Sequence, residues 1–327
     1  MEDNMLNLAD EIIKGRRLTE NDDLERFLTC NLDELCAGAE KIRKSLCGDK
    51  IDLCTIINGR GGRCSENCKF CAQSSHHHTN CDVYGFLDTD TLLAGCSKAA
   101  AYGVDRYSIV TAGRTLEGKD LEQALEAYRA MHEAYPDMVL CASHGLMKAE
   151  DLERLKEVGV TNYHANLETS QRYFPEICTT HTYEDKLAEI RAAKEAGLSV
   201  CSGGILGMGE TWQDRFDMAL LLAALEIPSI PLNFLIPIKG TPLGEIPPLS
   251  PEDILRIVAI FRYINPTAYI RIAAGRNYFA DGGRDLFLSG ANATITGDML
   301  TTVGNNTTQD REMFNDMGFC LKPQPKE

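Results

Sequence analysis

The sequence predicts a (β/α)8 barrel of the TIM type, preceded by a helical extension. Three observations carry this. From residue 52 onward, β-rich stretches alternate with helical ones. Eight such pairs occupy about 270 residues, the size of one barrel. No linker-like or low-complexity stretch divides the chain. An open doubly wound sheet would also alternate, and the count of eight favours the barrel over it. The expected organisation is a helical extension at 1–50, the barrel at 51–320 and a tail at 321–327.

The elements follow in order. Residues 5–47 read as two or three helices, the first stopped at Gly15 and another spanning 32–46 with apolar residues at helical spacing. The strands are expected at 52–58, 106–111, 138–143, 162–167, 199–205, 229–237, 268–274 and 293–298. Helices are expected at 89–103, 120–135, 148–159, 183–197, 211–226, 250–264, 282–291 and 307–318. The 250–264 helix carries its own start signal, with Ser250 as N-cap and Pro251 at the first helical position.

Composition narrows the function classes. Of the 327 residues 44% are hydrophobic, enough for a full core, and the net charge of -15 works against nucleic-acid binding. The first 17 residues are acidic at the start and lack an apolar signal core, and no run of 18 apolar residues occurs, so neither export nor a membrane span is expected. A cytoplasmic protein with thirteen cysteines uses them for metal or redox chemistry rather than for disulfides. Cys30, Cys36, Cys47, Cys96 and Cys320 read as small buried hydrophobes.

Chemistry in a barrel sits at the C-terminal ends of its strands and in the loops that follow. Cys64, Cys68 and Cys71 fall in the loop after the first strand. Ser108, Cys141, Cys201, Asn233 and Arg271 fall in strands two, three, five, six and seven. Asn166 and Glu168 end strand four, and Asn292, Thr301 and Thr302 flank strand eight. A strand cysteine taken alone is as compatible with packing against the helices as with facing inward. Arg271 is more constrained. A guanidinium in the middle of AYIRIAA cannot lie unpaired against an apolar helix layer, so it points into the barrel.

Three thiols in GGRCSENCKFCAQS, spaced C-x3-C-x2-C, suit an iron–sulfur cluster or zinc. Zinc would need a fourth ligand, for which His76–His78 are the nearby source, although in a loop they read more simply as solvated. Three thiolates on a four-iron cluster leave one iron open to a substrate or cofactor.

C-x3-C-x-aromatic-C in a barrel loop resembles the radical S-adenosylmethionine enzymes. YHANLETS (163–170), TTHTYEDKL (179–187), VCSGGILGMGET (200–211), IPLNFL (230–235), IKGTPL (238–243), INPTAYIRIAAGR (264–276) and GANATITGDMLTT (290–302) together resemble the biotin synthase family from about residue 20 onward. That resemblance implies insertion of sulfur into dethiobiotin by 5′-deoxyadenosyl radicals, with sulfur from a second, auxiliary cluster. It implies a flavodoxin- or ferredoxin-type electron donor and a homodimer. Related radical enzymes of the hydrogenase-maturation or methylornithine-synthase type are the alternative, and Cys141, Cys201 and Arg271 together speak against them. A metal-binding module without catalysis is a third possibility.

Carried over residue by residue, the resemblance assigns Cys64, Cys68 and Cys71 to the four-iron cluster. It places Phe70 and the backbone of Gly203 and Gly204 near the adenine, Glu168 at the ribose and Lys186 near the cofactor carboxylate. For Lys186 a surface helix lysine is the equal alternative, and for Phe70 plain loop packing. Asn166 and Asn233 would bond substrate and cofactor, and Thr301 and Thr302 the substrate carboxylate. Cys141, Cys201 and Arg271 would hold the auxiliary cluster, two-iron in the family. Two departures stand out. Ser108, a hard oxygen donor, occupies the place of the first auxiliary cysteine. His164 and Ala165 precede Asn166 where asparagine–histidine is usual, leaving His164 as a substrate contact or a satisfied buried histidine. Either the auxiliary cluster differs here, with four irons the expectation, or another cysteine replaces the missing one, with Cys178 the candidate and a loop residue without a role its alternative.

Overall fold

The computed structural model describes residues 4–297, 300 and 305–324. Nine strands pair in parallel: β1 (Asp52–Arg60), β2 (Arg106–Thr111), β3 (Val139–Ser143), β4 (Val160–His164), β5 (Ser199–Cys201), β6 (Gly204–Leu206), β7 (Ser229–Phe234), β8 (Tyr269–Ile272) and β9 (Ala293–Ile295). The order is β5-β4-β3-β2-β1-β9-β8-β7-β6, and the pairing of β5 with β7 closes the ring. β5 and β6 both lie along β7 and are two pieces of one stave, so the barrel is eight-stranded as expected.

The break in that stave has a local cause. A Cβ on Gly203 would lie 2.0 Å from the Pro231 carbonyl oxygen, so only glycine lets the chain approach β7 so closely. The strand read at 162–167 ends instead at His164. Beyond it, the Leu167 and Glu168 N–H groups donate to the Gly203 oxygen (3.0 and 3.2 Å), and the Ile205 N–H donates to the Glu168 oxygen (2.8 Å). Irregular backbone thus takes over the ladder from β4, with Glu168 at φ +68°. This turns the chain sharply at the C-terminal rim, where Asn166 and Glu168 line the cavity.

The helices start where the sequence signals them. Ser250 accepts from the Asp253 N–H (3.1 Å), with Pro251 inside the first turn. Thr182 with Asp185, and Thr211 with Asp214, form capping boxes. Two one-turn helices, Arg26–Thr29 and Phe174–Ile177, are too short to leave a period in the sequence. The N-terminal helices Met5–Ile13 and Leu32–Cys47 close over helix Pro251–Ile264, where Tyr263 Oη donates to the Met5 oxygen (2.9 Å).

Arg262 on that helix is fully buried, and its bonds among the described residues go to carbonyl oxygens, an amide and a thiol rather than to a carboxylate. Its Nε donates to the Gly290 oxygen (2.8 Å), Nη1 to the Pro266 and Ala268 oxygens (3.0 and 2.8 Å), and Nη2 to Asn292 Oδ1 (2.8 Å). Burial pulls its pKa down to about 10. Asn292 also accepts from the Ile270 N–H (2.9 Å), so this residue joins β8 to β9 from outside the cavity. Arg262→Ala would strand several buried carbonyls, at a cost on the order of 3 kcal/mol. The expected reading is a clearly lowered urea midpoint, with Arg262→Lys between the two; a wild-type midpoint for the alanine variant would contradict this account.

Candidate active site

A cavity of about 430 Å3 opens at the C-terminal ends of the strands. Its walls hold three groups of side chains at different depths.

At the floor, Asp52 binds two arginines that β2 and β8 send inward. Arg271 Nη2 donates to Asp52 Oδ1 (2.5 Å) and Nη1 to the Asp52 and Thr294 backbone oxygens (3.2 and 3.1 Å). Arg106 Nε donates to the same Oδ1 (2.7 Å). Burial opposes the Asp52 charge, but Arg271 and Arg106 outweigh it and hold the carboxyl below its usual range. Ser108, Cys141, Cys201 and Arg271 all line this cavity, so the strand cysteines face inward. Cys201 Sγ donates to Ser229 Oγ (3.3 Å). Cys54 of β1 lines the same wall, and burial pushes its thiol up to about 11. The sequence reading passed over Cys54. The signal was available, since DLCTIIN holds a cysteine inside a barrel strand, as VLCAS and SVCSGGI do.

Halfway up, Asn166 Oδ1 accepts from the Gly203 N–H (3.1 Å) and its Nδ2 donates to Glu168 Oε2 (3.2 Å). Asn233 Nδ2 donates to the Gly204 oxygen (3.2 Å). Burial raises the Glu168 carboxyl above its usual range, partly offset by Lys186 and His164. Lys186 is buried and lines the cavity, with Nζ 2.6 Å from Glu189 Oε2, so it is not a surface lysine. His164 also lines the cavity, and burial lowers its pKa, favouring the neutral ring.

At the mouth, Cys64, Cys68 and Cys71 project from a loop tied down by its own backbone. The Cys64 N–H donates to the Gln73 oxygen (2.9 Å), the Ser75 N–H to the Cys64 oxygen (2.8 Å) and the Cys71 N–H to the Cys68 oxygen (3.0 Å). Gln73 Oε1 accepts from Asn58 Nδ2 (3.1 Å) and the Gly62 N–H (3.0 Å), fixing the loop to β1. Phe70 packs with Ile177, Met208 and Leu235 beside the opening. Burial raises the Cys71 thiol to about 11, and the nearby Cys64 adds to the shift. A cluster that binds the thiolates would offset that cost, so the triplet fits such a group.

Cys178 belongs to this upper group and not to the floor. Its Sγ lies 3.7 Å from Cys68 Sγ and 3.3 Å from His181 Nδ1. The Cys68 thiol, with His181 and Thr180, pulls Cys178 below the ordinary thiol value despite its burial. The expectation that Cys178 replaces the missing auxiliary ligand is thereby corrected, because the loop after β4 carries it to the mouth. Cys68, Cys178 and His181 keep their donor atoms within 4.8 Å and are a metal-capable group among the described residues. His76 and His77 are spent on backbone carbonyls, those of Ser65 (3.0 Å) and Cys71 (2.9 Å). Thr301 and Thr302 lie outside the described residues.

Comparison with known proteins places the chain among its relatives. Residues 60–222 match the Radical SAM superfamily, and residues 231–320 match the Biotin and Thiamin Synthesis associated domain. The biotin synthase of Clostridium beijerinckii is 62% identical over 97% of this chain and 100% of its own length. That of Alkaliphilus metalliredigens is 60% identical over 96% and 98%. Among solved structures, methylornithine synthase superposes with a TM-score of 0.83 at 20% identity, covering 97% of this chain and 98% of that one. A maturase of the [FeFe]-hydrogenase superposes at 0.79 with 14% identity, covering 98% and 75%. These two structures share the barrel, whereas the near relatives share the sequence along its whole length, so the chain belongs to the biotin synthase family of the radical SAM superfamily.

Proposed function

We propose that this chain closes the sulfur ring of biotin on dethiobiotin, with the mouth and the floor of one cavity holding two different iron–sulfur clusters. The observation that carries the reading is the pairing, in a single barrel, of the Cys64, Cys68 and Cys71 loop above with Cys141, Cys201 and Arg271 below. Membership of the superfamily brings a [4Fe-4S] cluster and S-adenosylmethionine. When bound, these supply the 5′-deoxyadenosyl radical that removes hydrogen from dethiobiotin, and the auxiliary cluster supplies the sulfur.

The chain's own residues bind, orient and keep out water. Phe70 and the backbone of Gly203 and Gly204 form the adenine side of the site, Glu168 takes the ribose, and Lys186 faces the cofactor carboxylate. Asn233 bridges cofactor and substrate, Asn166 bonds the substrate, and Thr301 and Thr302 take its carboxylate. A primary radical attacks nearly anything, so the apolar lining around these polar groups has a chemical purpose. The region 51–320 is the catalytic barrel, 1–50 its helical extension and 321–327 a tail. All thirteen cysteines are free, which fits a reducing, cytoplasmic setting. No helix among the described residues is long and apolar enough to cross a membrane. The partners we expect are a flavodoxin- or ferredoxin-type electron donor and a second copy of the chain.

Ser108 argues for an auxiliary cluster unlike the two-iron form, because an oxygen donor is poorly matched to iron–sulfide chemistry. We expect four irons there. Mössbauer spectra of reconstituted protein should then show delocalised mixed-valence signals from both sites. A ferric two-iron signal beside the first cluster would refute this.

The two cluster roles separate by mutation. Alanine at Cys64, Cys68 or Cys71 should abolish reductive cleavage of S-adenosylmethionine while leaving the barrel folded. 5′-Deoxyadenosine released at the wild-type rate would overturn the radical reading. Cys141→Ala or Cys201→Ala should stop biotin formation while 5′-deoxyadenosine still appears. Unimpaired biotin formation in either variant would remove the floor from the sulfur-donor role.

A further inference from the structure

We propose that Cys54 is a thiolate ligand of the auxiliary cluster and supplies the soft donor that Ser108 lacks. This rests on the reading above, that the floor of the barrel holds a second cluster.

The warrant is the register of the strands. The interior of a (β/α)8 barrel fills in layers of four side chains, each layer drawn from alternate staves. With β5 and β6 counted as one stave, β1, β3, β5 and β8 form one alternate set. Cys141 on β3 stands opposite Ser108 on β2, and Ser108 opposite Ile56 on β1; Cys54 lies two residues before Ile56. Cys54 stands opposite Ile295 on β9. Thr294 pairs with Ile272 on β8, which sets Ala273 level with Ile295; Arg271 lies two residues before Ala273. Arg271 stands opposite Pro231 on β7; two residues before Pro231, Ser229 stands opposite Cys201 on β5. Cys201 stands opposite His164 on β4. Tyr163 pairs with Ala142 on β3, which sets Ser143 level with His164, and Cys141 lies two residues before Ser143.

The circuit closes with the same two-residue slip at each step. Strand tilt imposes such a slip between residues at equal height, so Cys54, Arg271, Cys201 and Cys141 form one layer. Ser108 sits on β2, in the interleaved set, and belongs to a different layer. The field around the thiols agrees with the geometry. Cys54 interacts with Arg271, Arg106 and Cys201, and Cys141 with Cys54, Arg106, Cys201 and Arg271. All four members of the layer line the cavity. A cysteine used only as apolar filler would have no reason to share a cavity-facing layer with two other thiols and a guanidinium.

The test is reconstitution under anaerobic conditions of the wild-type chain and of Cys54→Ala, Cys54→Ser and Ser108→Ala, with iron and sulfide counted per chain and Mössbauer spectra recorded. Wild-type protein should hold iron beyond the first cluster. Both Cys54 variants should lose or alter that auxiliary iron yet keep the first-cluster spectrum and the cleavage of S-adenosylmethionine, with the serine, close in size to cysteine, guarding against a folding defect. Ser108→Ala should keep both clusters. Cys54 variants with wild-type iron, sulfide and auxiliary signal would overturn the proposal alone. Loss of the auxiliary signal in Ser108→Ala but not in the Cys54 variants would overturn it equally. A wild-type chain with no iron beyond the first cluster would overturn both this and the sulfur-donor reading.

Discussion

The ionised Asp52 beneath the barrel floor is what allows the rest of the interior to be polar. Two guanidiniums inside a barrel would each carry a severe desolvation penalty if left alone. One carboxylate, bonded by Arg271 and Arg106 and held in its charged form by them, offsets both. Each arginine is thereby locked in direction, and Arg271 gains further bonds to backbone oxygens of β1 and β9. The floor is consequently closed, cationic on balance and rigid. Burial pushes the thiols beside it, Cys54 and Cys141, above their ordinary value, and the neighbouring guanidiniums offset part of that cost.

Above the floor, the same economy recurs with backbone. Gly203 lets the fifth stave press against β7, and the gap this leaves beside β6 is filled by residues 165–168. Asn166 spends one side-chain atom on that junction and the other on Glu168. The residues that face the cavity at mid-height are therefore fixed by the closure of the barrel itself. Lys186 reaches them from a helix, paired with Glu189 and within the field of Glu168. The buried carboxylates and the lysine partly neutralise one another in a wall that is otherwise mostly apolar, a setting suited to excluding water from a radical.

At the mouth, two loops distant in sequence share one network. Glu66, between Cys64 and Cys68, accepts from Thr180 Oγ1 (2.8 Å) and pairs with His181 Nδ1 (2.6 Å), while Asn67 Oδ1 accepts from the Thr179 N–H (2.9 Å). This network brings Cys178 to Cys68. A cysteine just past β4 reads on paper as near the barrel rim, which is correct. Which depth of the cavity it serves depends on the course of the loop, and no local pattern encodes that.

Much of the fold was legible because alternation and capping are local. The eight staves, the Ser250 start and the inward arginine follow from period, composition and the cost of burying charge. The short helices and the split fifth stave were not legible, since one turn leaves no period and the glycine's reason is a neighbour on another strand. The triplet was legible in the sequence alone, because its three thiols share one short loop that follows a barrel strand. The floor was decided only by the tertiary structure. Cys54, Cys141, Cys201 and Arg271 come from four separate staves, and a shift of one residue in any register would turn its side chain to the other face. Spacing along the chain carries no record of that register; it is set by the tilt and closure of the whole barrel.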